Sequence, residues 1–446
     1  MRRKTFTRAL QVGLCIALAA GLVIGVSGFG FAAKPYAGQT VTTITWDTAA
    51  ARAIGDLIPE FEAATGIKVD WNIFAEPVLR EKVLVDLASH TGIYDIFIIG
   101  SWVTAQYADA GYVISLDNLI ATKKSEYFAE DFAPKYLDAL KFNGKLWGLP
   151  YYGHIGILMY RKDLFQKYGI SVPETTDDLM QAAESLTLDE NGDGRIDIYG
   201  MAMRAIRGED NPIISTSWTW VHGGEWLTED MKPAVTSPEF VAGVKWFGDI
   251  LRNYGPPDVS RYSWLEVQNV FVTGHCAIIF DASDFIGRIE DPELSQIGGK
   301  IGYALASAGP AGPVTERYAS HLFTAGMGIN ADSRSKEAAW LFLQWMTSQD
   351  VQMRTMLVGH RTGLTSESVL GSEEFGSTYP GVPVILRALQ LANPEYMPHI
   401  PEYPEVCEII GTQISRVVTG EIEAETAMKE AYEQMYKVLD LAGYYK

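Results

Sequence analysis

The sequence predicts an α/β protein with a parallel, doubly wound sheet at its start and a second α/β unit after Pro150. Two observations carry this. Residues 41–99 alternate strand-like and helix-like segments in the order β-α-β-α-β, which gives parallel strands joined by right-handed crossovers. The chain of 446 residues is 47% apolar with near-zero mean hydropathy, which suits a globular protein of two or three domains with sizeable cores.

The elements follow in order. Val41 to Trp46 is β-rich. Ala51 to Ala63 places Ile54, Leu57, Ile58 and Phe61 at helical spacing, with Gly66 as C-cap. Ile67, Val69, Trp71 and Ile73 alternate with polar residues as a second strand. Pro77 opens a helix that carries Val78, Leu79, Val83, Leu84 and Leu87, and Tyr94 to Ile99 is a short continuous apolar strand. In sheets of this kind ligands bind beyond the carboxyl ends of the strands. Those ends carry Trp46-Asp47, Ala75-Glu76 and Gly100-Ser101-Trp102. Two indoles and two carboxylates on one edge are candidate ligand contacts; the competing reading makes Trp46 and Trp102 packing residues.

Asn143-Gly144 is a hairpin turn signal. A short extended run to Pro150, the aromatics Tyr151 and Tyr152, and a buried strand from Ile155 to Tyr160 come next. A strand that leaves one compact unit and opens another, with aromatics at the junction, fits a hinge over a ligand cleft; a hairpin with an aromatic plug fits equally well. Beyond it, helices are expected over 171–186, 238–251, 264–271 and 336–346, and the apolar run Ala277 to Phe280 reads as a buried strand ending in Asp281. Residues 302–313, rich in Gly, Ala and Pro, read as a crossing back to the first unit.

The formal net charge of −19 leaves no basic stripe for phosphates and argues against a nucleic-acid partner. Arg2, Arg3, Lys4 and Arg8 precede an apolar run that ends in small residues at Gly30 to Ala33. This reads as a secretory signal over 1–33, with an uncleaved anchor as rival. Cys276 and Cys407 lie in apolar runs and are expected as buried free thiols.

Four constellations carry candidate chemistry. Asp189, Asn191, Asp193, Arg195 and Asp197 occupy positions of a calcium loop with glycine at position six, yet Gly200 stands where the bidentate Glu belongs. The expectation is that no cofactor is required, and a structural Ca²⁺ is held open against an Asx-rich turn. Residues 217–226 are dense in aromatics, and Trp218 and Trp220 alternate, so one faces the core and Trp220 the cleft. Asp281 can accept two charge-assisted hydroxyl bonds or can cap the following segment. Arg204 and Arg207, in a strand-exit loop, and Arg361 are candidate donors to ligand oxygens. Gly326 to Ala331 matches GxGxxA, but four residues intervene before the next helix, so a dinucleotide site is rejected.

Several segments also carry a family resemblance. GKLWGLPYY, LMYRKDLFQKYGI and TTDDLMQAAESLT resemble ABC-importer extracellular solute-binding proteins of the family-1 carbohydrate branch, and look closest to its sorbitol/mannitol-type polyol binders. EPVLREKVLVDLA, GPP at 255–257, FVTGHCAIIFDAS, SKEAAWLFLQWMTS and the tail SRVVTGEIEAETAMKEAYEQM extend it over most of the chain. The resemblance implies a type II periplasmic-binding-protein-like fold: two α/β lobes, a hinge and a cleft between them. Lobe one would hold 34–150 plus about 308–358, and lobe two 151–307 plus about 359–446. It further implies a polyol or sugar ligand, an ABC permease as partner, a periplasmic location and a monomer. Position and resemblance together nominate Trp46, Asp47, Glu76, Arg80, Trp102, Tyr151, Tyr152, Arg204, Arg207, Trp220, Asp281 and Arg361 as ligand contacts. His154 departs from the pattern, standing where polyol relatives often show an acidic residue, and the 189–197 loop is an insertion relative to some of them. The rival readings are a secreted carbohydrate-active enzyme, since aromatic clefts and carboxylates also suit glycosidases, and a binder of an oligosaccharide or polyamine.

Overall fold

The computed structural model describes residues 34–445 with the exception of 129, 209, 307 and 310–317. The expected secretory signal and part of the expected crossing at 302–313 lie outside the described residues. Ten strands are present among them: β1 Thr40–Trp46, β2 Lys68–Phe74, β3 Ile96–Gly100, β4 Lys141–Phe142, β5 Lys145–Leu146, β6 Leu149–Arg161, β7 Tyr199–Ala202, β8 Cys276–Ala282, β9 Ile301–Ala304 and β10 Leu322–Ile329.

The first five elements form as the periodicity predicts. β1 lies parallel to β2 on one side and to β3 on the other. The helix Ala49–Thr65 is capped by the Thr48 side chain and ends at Gly66, whose φ of 76° is the left-handed conformation glycine favours. The helix Glu76–Ser89 starts directly after β2 with proline in its first turn. Asn143 and Gly144, at φ 50° and 70°, turn β4 into β5, as expected of an Asn-Gly hairpin.

β6 organises the rest. It is a single strand of 13 residues, where sequence reading expects a short run ended by Pro150 and a separate strand from Ile155. Pro150 is accommodated because the β6–β10 register shifts beside it, at Ala325/Gly326, so no ladder bond depends on its missing N–H. From Leu149 to Ile155, β6 pairs antiparallel with β10; from Gly156 to Tyr160 it pairs antiparallel with β8, and its last residues also pair β9. The handover falls between Ile155 and Gly156. The sheet order is β2-β1-β3-β10-β6-β8-β7.

Three apolar cores flank this sheet. One gathers β1–β3, β10, and the helices Ala49–Thr65 and Lys336–Met346. A second gathers β7, β8 and the helices Asp210–Val221, Pro238–Tyr254, Tyr403–Val418 and Ala424–Ala442. The third holds Ile155, Ile157 and Met159 of β6 with residues 364–392, and it also takes Ala133, Tyr136 and Ala139 from the first part of the chain. Burying each large side chain contributes about 1.5–3 kcal/mol, so β6 is held from both sides at the handover. Cys276 and Cys407 are buried free thiols, as expected.

Candidate functional site

The three carboxyl ends of the parallel strands converge. Trp46 is the last residue of β1, Glu76 opens the helix after β2, and Trp102 follows β3. The Trp102 ring folds back over Gly100, where a Cβ would lie 1.8 Å from it; glycine there is what lets the indole turn inward. Trp102 stacks on Phe323 of β10 at 4.9 Å and on Trp46 at 5.8 Å. His154 of β6 stacks on Phe323 at 4.6 Å, and Tyr152 meets Trp46 edge-on at 6.4 Å. The Arg80 guanidinium lies 5.8 Å over the Trp102 ring and is held by Glu76 at 2.8 Å, one helical turn earlier. The result is an aromatic wall with a charged rim.

A polar floor adjoins it. Arg204, in the loop after β7, donates from Nε to both carboxylate oxygens of Asp281 at 3.0 Å, and its Nη1 lies 3.6 Å from Asp210. The Tyr152 hydroxyl donates to Asp284 Oδ2. Burial pushes the Asp284 carboxyl up to about 6, against the pull of Tyr152 and Arg204. Burial works against the Arg204 charge, but Asp281 outweighs it and the guanidinium is held protonated. Burial also raises Asp210, which feels Glu76 and Arg80 as well as Arg204. The rim on the helix Glu76–Ser89 and the floor beside β8 therefore lie within each other's field.

Several polar atoms here are buried without a partner among the described residues: Trp46 Nε1, Ser101 Oγ, Asp284 Oδ1 and His321 Nδ1. A buried polar group left unpaired costs about 1–3 kcal/mol. A cavity of ≈ 190 Å³ opens beside the wall, bounded by Trp46, Leu79, Arg80, Trp102 and Tyr107, with Pro404 of the helix Tyr403–Val418 closing it.

Trp46, Glu76, Arg80, Trp102, Tyr152, Arg204 and Asp281 are thus brought together. The other nominated residues are not. Tyr151, next to Tyr152 on the strand, points to the opposite face and is fully buried beside Thr45. Arg361 is buried against the Tyr151 ring and donates to the Tyr151 carbonyl, and burial lowers its pKa to about 10. It props the core beneath β6. Asp47 is exposed and paired with Arg52 at 2.7 Å. Arg207 is exposed and donates to Thr412 at 3.1 Å. Trp218 and Trp220 lie on a helix, not an alternating strand; two residues apart on a helix still point to nearly opposite sides. Trp218 packs in the core against Trp246. Trp220 sits half-buried on the same core, about 15 Å along the axis from Asp210.

The loop 189–197 turns its oxygens on its own backbone. Asp189 accepts from the amides of Gly192, Asp193 and Gly194, and Asp193 Oδ1 from that of Arg195. Asp197 accepts from Glu190 N at 2.8 Å. Gly200 has no room for a liganding side chain, since a Cβ would lie 1.9 Å from the Ala183 carbonyl oxygen. Among the described residues no three His, Cys, Asp or Glu side chains gather as a metal site. The geometry fits the Asx-rich turn.

Sequence reading missed Phe323, His321, Asp284 and Asp210. Phe323 sits in an ordinary apolar strand, and Asp210 looks like a helix-start carboxylate. Asp284 lies three residues after Asp281, a spacing that would have flagged it.

An aromatic wall and a charged floor, joined by one strand that runs through both halves of the sheet, define a solute-binding protein of the type II periplasmic-binding fold. Comparison with known proteins agrees: residues 45–353 match the bacterial extracellular solute-binding protein family, and the chain belongs to it. It is 29% identical over 406 residues to the mannitol-binding protein of Pseudomonas aeruginosa, covering 86% of this chain and 89% of that one. It is 26% identical over 348 residues to the erythritol/L-threitol-binding protein of Mycolicibacterium smegmatis, covering 72% and 69%. Among solved structures it resembles an ABC-transporter solute-binding protein of Agrobacterium radiobacter in complex with ribitol, with a TM-score of 0.82, 27% identity and coverage of 91% and 100%. A counterpart from Agrobacterium vitis with bound D-mannitol gives 0.80, 27%, 92% and 100%. The chain is accordingly an extracellular solute-binding component of an ABC transporter and not an enzyme. No helix among the described residues is long and apolar enough to cross a membrane.

Proposed function

We propose that the protein captures a small linear polyol between the aromatic wall and the polar floor and hands it to an ABC permease outside the cytoplasmic membrane. The observation that carries this is that Tyr152 of β6 joins the two groups, meeting Trp46 of the stacked Trp46, Trp102 and Phe323 edge-on and donating its hydroxyl to Asp284, near the Arg204–Asp281 pair. Polyols present C–H faces that pack on indole rings, and hydroxyls that seek carboxylate acceptors and guanidinium donors. The unpartnered Trp46 Nε1 and Asp284 Oδ1 supply one donor and one acceptor for such hydroxyls. The relatives named for mannitol and erythritol, and the structures holding ribitol and mannitol, support an acyclic polyol over a ring sugar. β6 supports hinge closure, because Leu149 and Tyr151 at its start belong to one main core and Leu158 near its end to the other, and a few backbone dihedrals along such a strand can absorb the motion. Capture needs no covalent step. A thermal-shift screen on protein unfolded and refolded to strip bound solute tests this. A polyol at a hundredfold excess over its Kd raises stability by about 2.7 kcal/mol, and the shift disappears in Trp102→Ala. A flat response to mannitol, ribitol and erythritol would overturn the ligand class.

A further inference from the structure

The two most enclosed histidines lie where β6 changes partners. His154 Nδ1 and His321 Nε2 are 3.2 Å apart, both residues are buried, and the rings meet edge-to-face. Phe323 covers one face of His154, and Phe280 stands edge-on to His321. Gly156 leaves no room behind His321, since a Cβ there would lie 2.6 Å from Nδ1.

The contact needs one donor and one acceptor, so the two rings choose their tautomers together. His321 Nδ1 is buried with no partner among the described residues. An orphaned buried N–H is rarer than an orphaned acceptor, so that nitrogen keeps its lone pair. The His321 proton then sits on Nε2 and donates to His154 Nδ1. The His154 proton is left on Nε2, on the far side of the ring from His321. We propose that this pair is a tautomer lock that holds His154 Nε2–H as a fixed donor to a ligand hydroxyl oxygen and makes ligand affinity fall on acidification. The ligand part rests on the polyol reading above.

The charges around the pair bear this out. Burial first, and then nearby positive charge that includes Arg204, holds both histidines well below their ordinary range, and His321 lowers His154 further. Asp281 of β8 and Asp210 neutralise Arg204, while Asp284 is engaged by the Tyr152 hydroxyl from the neighbouring position on β6. A proton added at His154 Nδ1 would set two N–H groups against each other. One added at His321 Nδ1 would bury an unpaired N–H. The closed cleft therefore keeps both rings neutral, and opening lets them meet water and take up protons below about pH 6.5. By linkage, affinity falls up to about tenfold per pH unit for each proton taken up on opening.

The test uses the purified protein with D-mannitol and ribitol as probes. Two-bond ¹⁵N–¹H histidine spectra, assigned with His154→Asn and His321→Asn, should show both rings neutral and protonated at Nε2, in the polyol complex down to pH 5.5. An imidazolium at either position, or a proton on His321 Nδ1, overturns the lock. Calorimetric affinity should weaken by about tenfold or more from pH 7.5 to 5.5, and His154→Asn should lower the affinity at pH 7.5 and reduce that slope, leaving the share of His321. An equal slope in His154→Asn, or no slope in the parent, overturns the proton linkage. If neither polyol binds at any pH, the polyol reading and the donor role fall together, while the spectra still decide the tautomers.

Discussion

Arg204 Nε lies 3.0 Å from both oxygens of Asp281, and the two side chains are 6% and 0% exposed. The pair fixes the floor of the cleft before any ligand arrives. Removing one partner leaves the other charge buried alone. Asp281→Ala is expected to cost about 3–5 kcal/mol in urea denaturation, and the paired change Arg204→Met with Asp281→Leu distinctly less than the sum of the two single changes. Additive costs would mean that the two side chains do not depend on each other.

Trp102 is half-buried and contributes its faces to Phe323 and Trp46. It also packs on the margin of both main cores, and its truncation removes the wall. Trp102→Ala should lower polyol affinity at least about tenfold, which is about 1.4 kcal/mol, while the melting temperature falls by only a few degrees. Unchanged affinity measured by calorimetry would remove the indole from the site.

Asp284 gives a pH signature of its own. Its folded pKa of about 6 stands above the ordinary 3.8, chiefly through burial. The folded state therefore binds the proton more tightly than the unfolded chain, and ionising Asp284 costs stability as pH rises through about 6. The penalty is complete above that value and absent below about 4. Asp284→Asn should gain about 1–3 kcal/mol at pH 7.5, and nothing near pH 4. A gain equal at both pH values would place the effect elsewhere.

The 189–197 loop satisfies its carboxylates with its own amides. Millimolar CaCl₂ is expected to leave the melting temperature where EDTA leaves it, because a metal bound only to the folded state would raise it by mass action. A calcium-dependent rise lost in Asp193→Ala would establish the metal reading instead.

Much of this was legible in sequence because local pattern and global fold agree there. The alternation from Val41 to Ile99 fixed the parallel order, and the strand ends then placed Trp46, Glu76 and Trp102 on one edge. Asn143-Gly144 forced a hairpin whatever lay around it. What stayed hidden depended on tertiary packing. Tyr151 and Tyr152 look alike in sequence, yet neighbours on a strand face opposite ways, and only one meets the cleft. Arg361 reads as a loop cation but lies under the Tyr151 ring. Phe323 and His321 enter the site because β10 lies between β3 and β6, an antiparallel insertion that no local pattern announces.

The central claim is that a polyol binds between the two halves joined by β6. Isothermal titration of stripped protein with D-mannitol and ribitol tests it most directly. The account predicts saturable one-site binding to at least one of them, weakened at least about tenfold in Trp102→Ala. Absence of heat with both polyols, or binding that Trp102→Ala leaves unchanged, would contradict it.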